Sequence, residues 1–253
     1  MRTGKTIAGA LLCLALCLAA SAAMAHDLWL TCPSAQAGQK LTVEIGYGHG
    51  FPKGEPIDAK LLVAPFVVGA NSEIKTELKD ECKYESVKPL PAGSYVVAGG
   101  RIEQWYTKSP AGSVNKPKNE VPEAIRCVRS VKYAKALVNL GGKIDPVQQV
   151  VGQDLEIVPL ANPGALKAGA DLPVKVLLAG KPLAKAEVTA TFAGFSKEGA
   201  MAFYARTNAE GLVNVKLWSA GLWLVRVSHK SPFADPAKCD ELSKTAVLTF
   251  ELK

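Results

Sequence analysis

Hydrophobic positions alternate with polar or small ones along most of this chain, which is the period of a half-buried strand rather than a helix. Leu41, Val43, Ile45 and Tyr47 share one face of a predicted strand. Ser94 to Ala98 and Arg126 to Leu140 carry further β-rich runs. The pattern sharpens past Gly141-Gly142-Lys143-Ile144-Asp145-Pro146, a candidate linker. Leu155 and Ile157 open a strand before Pro159, and Leu172, Val174, Val176 and Leu178 line one face of the next. Gly180-Lys181-Pro182 turns into a strand from Ala186 to Phe192, and Asn208-Ala209-Glu210-Gly211 predicts a hairpin-like turn. Trp223, Val225 and Val227 share a face, as do Ala246, Leu248 and Phe250. Trp105 to Pro122, with three prolines and a glycine, predicts a long loop. No run has a convincing 3.6-residue period. Short strands punctuated by Gly, Pro and Asn predict an all-β protein of two Ig-like β-sandwich domains, 26–145 and 150–253.

The first 25 residues read differently. Arg2 and Lys5 precede an apolar stretch from Ile7 to Ala20, and small residues lead to Ala23-Met24-Ala25. This is the layout of a cleavable export signal, so the mature protein is expected to be exported from the cytoplasm. The apolar stretch is too short for a comfortable membrane span, so no stable membrane insertion is expected. Cys13 and Cys17 each follow leucine, unlike a lipid-attachment site. Cleavage removes two positive charges from a net +7, and what remains is scattered. With no Arg-rich helix and no interleaved aromatic and basic residues, no nucleic acid partner is expected. Cys32, Cys82, Cys127 and Cys239 remain, an even count that predicts two disulfides in an exported protein, with three pairings open.

Only three histidines occur: His26, His49 and His229. Cleavage after Ala25 makes His26 the first residue, with a free α-amine beside its imidazole. His49 continues the face of Val43, Ile45 and Tyr47 just past a strand end, flanked by Gly48 and Gly50. His229 continues the face of Trp223, Val225 and Val227, again at an expected strand exit. An amine and three imidazoles make a four-nitrogen set suited to nickel, cobalt or copper. Imidazole and α-amine protonate around pH 6.5 to 8, so affinity for such an ion is expected to fall in acid. Asp27 is placed as an extra ligand or as an acceptor that orients an imidazole. Glu55 and Asp58 read as loop solubilisers, and no Gly-x-Ser-x-Gly elbow is present, so the chain is not expected to be an enzyme.

Several segments together carry a family resemblance. They are Ala25-His26-Asp27-Leu28-Trp29-Leu30, Gly46-Tyr47-Gly48-His49-Gly50-Phe51-Pro52, Tyr133-Ala134-Lys135-Ala136, Leu155 to Pro163, Gly180 to Val188, and Gly221 to His229. In that order and spacing the chain resembles a bacterial periplasmic domain-of-unknown-function family associated with nickel and cobalt uptake transporters of the energy-coupling-factor type. The resemblance implies a protein that binds a nickel or cobalt ion and delivers it to a membrane metal-uptake transporter component. It implies His26, His49 and His229 as ligands. The cysteines lie outside the pattern. Gly180-Lys181-Pro182-Leu183 to Val188, Thr207 to Gly211 and Gly221 to Val227 also resemble transthyretin-like and carboxypeptidase-regulatory sandwiches, which implies a scaffold role for the second half. Two other readings stay open: a copper protein with an N-terminal histidine brace, as carrier or redox enzyme, and a binding or adhesion module without metal. Aromatic content of 7% is low for a sugar-gripping surface.

Overall fold

A computed structural model describes residues 26–69, 72–141, 148–196 and 199–253. The expected export signal, residues 1–25, and most of the expected linker lie outside them. In the first half the strands are β1 (Asp27–Thr31), β2 (Thr42–Gly48), β3 (Leu62–Val68), β4 (Glu73–Asp80), β5 (Lys83–Ser86), β6 (Ser94–Ser109), β7 (Gly112–Val114) and β8 (Arg126–Asn139). The second half has β9 (Leu155–Pro159), β10 (Asp171–Leu178), β11 (Lys181–Pro182), β12 (Glu187–Phe192), β13 (Phe203–Arg206), β14 (Leu212–Lys216), β15 (Gly221–Pro232) and β16 (Glu241–Leu252). Three single 3₁₀ turns, at Ala59–Leu61, Lys118–Glu120 and Pro163–Ala165, are the only helical elements among the described residues. The protein is all-β, as its alternation predicts.

One sheet runs through both halves. Its order is β1-β2-β5-β4-β3-β6-β8-β16-β15-β12-β13, with β7 paired to β6. The junction is β8 beside β16, a parallel ladder from Glu241↔Val128 to Thr249↔Ala136. The sheet curls, so that β1, at one end of the order, packs over β6, β8 and β16 in its middle. The second, smaller sheet holds β9, β10, β11 and β14. The stretches 26–145 and 150–253 therefore meet through a shared layer.

Alternation along β8 explains how one strand serves two cores. Ala134, Ala136 and Val138 point into the first core, with Leu28, Leu30, Val43 and Ile45. Tyr133 and Leu137 pack against the second, built from β9, β10, β12, β14, β15 and β16 around Trp223. Lys135 points the same way as Tyr133 and Leu137 and is fully buried; its Nζ lies 2.8 Å from Glu156 Oε1 on β9. Glu156 also accepts from the Val151 and Gly152 amides, so the buried carboxylate is well satisfied. A third, small cluster forms on the other face of β15 and β16, where Leu224 and Val247 meet Trp29 and Phe51.

Three local expectations are corrected. The strand starting at Ser94 continues to Ser109 and turns into β7, so residues 105–114 form a hairpin rather than open loop. Thr107 is buried in that stretch, which its prolines had masked. The Asn208–Gly211 turn is an arch, because β13 pairs with β12 while β14 pairs with β10 in the other sheet. Asn208 Oδ1 accepts from the Glu210 and Leu212 amides and holds that crossing. Among the described residues one disulfide forms, Cys127–Cys239, while Cys32 and Cys82 are unpaired. Cys32 follows β1 and Cys82 precedes β5, the two strands that flank β2, so that strand holds them apart. Burial pushes the Cys32 thiol up to about 12.

Candidate metal centre

The site is built where β1 begins and β2 ends, since these strands pair Asp27↔Gly48 and Leu28↔Tyr47. Antiparallel pairing brings His26, one residue before β1, next to His49, one residue after β2. Their ring centroids are 4.4 Å apart. The His26 ring also stacks on Tyr47, at 4.9 Å and an interplanar angle of 6°. His26 Nε2 lies 3.2 Å from Glu55 Oε2.

Glu55 reaches His26 because the chain reverses after β2. The Lys53 amide donates to Gly50 O, and the Glu55 amide donates back to Tyr47 O. Two glycines make room. A Cβ at Gly48 would stand 2.6 Å from Glu55 Oε1, and Gly48 holds a φ of +128°, where side chains are strained. A Cβ at Gly46 would fall 2.1 Å from the Trp29 indole, which lies flat over that backbone. Trp29 is fully buried and meets Phe51 edge-on at 5.6 Å, so it anchors both strands beneath the histidines.

Asp27 forms the floor. Its Oδ1 lies 2.7 Å from Arg226 Nε. Burial pushes its carboxyl above the usual range, opposed by Arg226, Lys132 and His49 in that order. Asp27 and His49 line a small cavity of about 20 Å³ with Trp29, Phe51, Thr191 and Leu224. That volume admits about one water-sized particle.

His229 does not join this group. β15 extends to Pro232, so His229 lies within the strand rather than at its exit. Val225 and Val227 point into the second core, and His229 shares their face. Arg226 and Leu224, which meet Asp27 and the cavity, point the opposite way. His229 stands opposite Lys244, which is paired with Asp154. Burial first, then Lys244, depresses its imidazole pKa, with Asp154 opposing. The expected third imidazole is thus on the wrong side of the sheet, and among the described residues no three His, Cys, Asp or Glu side chains form a ready cage for an ion. Two imidazoles do converge, with Glu55 against one and Asp27 near the other. That donor set suits a borderline divalent ion. Glu55 is the residue that sequence reading passed over; the signal was Phe51-Pro52-Lys53-Gly54, a turn that folds position 55 back on Tyr47.

The family Domain of unknown function (DUF4198) matches residues 23–231. No curated protein matches the sequence. Among solved structures, the D0-D1 domain of Intimin is 17% identical, covers 89% of this chain and 97% of its own, and has a TM-score of 0.24. The D00-D0 domain of Intimin is 14% identical, covers 87% of this chain and 98% of its own, with a TM-score of 0.21.

Proposed function

The chain belongs to the DUF4198 family, and on the geometry at the start of β1 we propose that it is a periplasmic carrier that binds a nickel or cobalt ion and delivers it to a membrane importer. The observation that carries this reading is the approach of His26 and His49 to 4.4 Å between rings. An exported chain beginning at His26 adds its α-amine, giving a chelate from one residue plus a second imidazole. Glu55 supplies a carboxylate oxygen beside the first ring, and Asp27, fixed by Arg226, orients the second. The delivery step rests on the family resemblance in the sequence motifs.

The same placement favours a second reading. With His229 elsewhere, the set is one amine and two imidazoles, the three nitrogens of a copper histidine brace. Calorimetry on processed protein tests the metal site that both readings share. Nickel and cobalt should each bind at one site, and a Gly-Ser-Gly-Ser extension before His26 should weaken binding roughly ten-fold or more, because the new amine lies too far from the His26 imidazole to close the chelate. Unchanged affinity removes the amine from the site, and failure of nickel, cobalt and copper alike to bind rejects the metal reading. Copper should bind more tightly than nickel in vitro in either case, so the choice between the readings is made by growth under nickel, cobalt or copper limitation.

A further inference from the structure

A row of side chains beneath β1 carries unbalanced charge. Arg101 on β6 stands directly opposite Lys132 on β8. Lys132 aligns with Thr245 on β16, and Thr245 with Ser228 on β15. Cross-strand partners share a face, so these four form one line across the sheet, and Arg226 lies on the same face two residues from Ser228. β6 carries one extra residue between Arg101 and Gln104, so Tyr106 also turns to this side.

The polar atoms in this row lack suitable partners. Arg101 and Lys132 are each 3% exposed. Arg101 donates to the hydroxyls of Tyr47, Tyr106 and Ser130, none of them an anion, and its Nε is buried without a partner. Lys132 makes no hydrogen bond or ion pair among the described residues, and burial, then Arg101, pulls its ammonium down to about 8. Ser228 Oγ is buried and unpaired. Arg226 Nε and Asp27 Oδ1 form an ion pair at 2.7 Å, which leaves Arg101 and Lys132 without an anion of their own. Asp27 is the only carboxylate among the charges acting on Lys132. Glu187, opposite Ser228, is taken up by Arg206 and Tyr204. Three cations therefore face one anion. Buried charge of this kind is costly unless it is neutralised.

We propose that Arg101, Lys132, Arg226 and Ser228 form a binding site for a small oxyanion of charge about −2, carboxylate or phosphate, entering beside Asp27. Two guanidinium forks and an ammonium suit either oxygen geometry, and a dianion balances the excess. Arg226 is 23% exposed and Tyr106 45% exposed, so the row reaches solvent at both ends. The site stands whether or not the histidines hold a metal.

The test is calorimetric titration of metal-free protein with succinate, then with phosphate, at constant ionic strength set by sodium chloride. Saturable one-site binding is expected from at least one of them, and which one binds identifies the source of the oxyanion. Lys132→Met should weaken it roughly ten-fold or more, while Lys132→Arg retains it. Ser228→Asp provides a check that does not rely on losing a side chain. It places a carboxylate in the row, and should raise the melting temperature of the anion-free protein and abolish binding of whichever anion the unaltered protein takes. No saturable binding by either anion, or full binding by Lys132→Met or by Ser228→Asp, overturns the proposal. Because no metal is present, this outcome is independent of whether nickel, cobalt or copper binds.

Discussion

His229 shows how a single parity step decides a residue's role. Alternation along β15 correctly groups it with Val225 and Val227, but that face is the inside of the second core, away from His26. Its depressed imidazole pKa has a consequence for stability. Below the ordinary value of about 6.5 an unfolded chain takes up a proton that the folded protein resists. Stability should therefore fall as pH drops from 7.5 to 5.5, levelling off below the folded value, and His229→Gln should flatten that slope. Urea denaturation at several pH values measures it, and an unaltered slope in the variant would count against this account. Of the residues expected to act together, His26, Asp27 and His49 were legible because the first two follow a signal-peptidase pattern and the third lies just past a clear strand. Glu55 was not, because its placement depends on bare backbone at Gly48. Arg101 and Lys132 were hidden too, since alternation alone does not tell which face of a sheet covered on both sides a charge will occupy.

At the level of strands, period-two patterning located β2, β8, β10, β12, β15 and β16 within a few residues. Partner choice was not written there. The parallel ladder of β8 with β16 joins residues more than a hundred positions apart, and the arch at Asn208–Gly211 resembles a hairpin in sequence because both need the same turn chemistry. The Cys127–Cys239 bridge closes a separation of 112 residues at the start of that ladder. Its neighbours are the Lys118 contact with Asp240 Oδ1 and the Cys127 amide donating to Asp240 Oδ2. Replacing both cysteines by serine should cost about 2–5 kcal/mol of unfolding free energy, chiefly by freeing the unfolded chain. Urea unfolding of oxidised protein and the double variant gives the difference. A loss below about 1 kcal/mol would mean that the ladder holds itself together without the bridge.

Across the whole molecule the two halves are less independent than the sequence pattern implied. If 150–253 is produced alone, β16 loses β8 and bares the nine-residue edge from Glu241 to Thr249. Such an edge pairs readily with another chain. The fragment should therefore aggregate or dimerise, whereas the full chain should melt in one cooperative transition. Sedimentation of the fragment and calorimetry of the intact protein check both, and a monomeric, cooperatively folding fragment would show that the second half needs no support. The candidate linker at 141–146 marked the expected boundary between two separate domains. The β8–β16 ladder instead runs like a continuous plank beneath both, with Lys135 pinned to Glu156 through its thickness. Under the proposed carrier reading, release of an ion from His26 and His49 falls to the short turn from Phe51 to Glu55 at the end of β2, and not to a hinge between the halves.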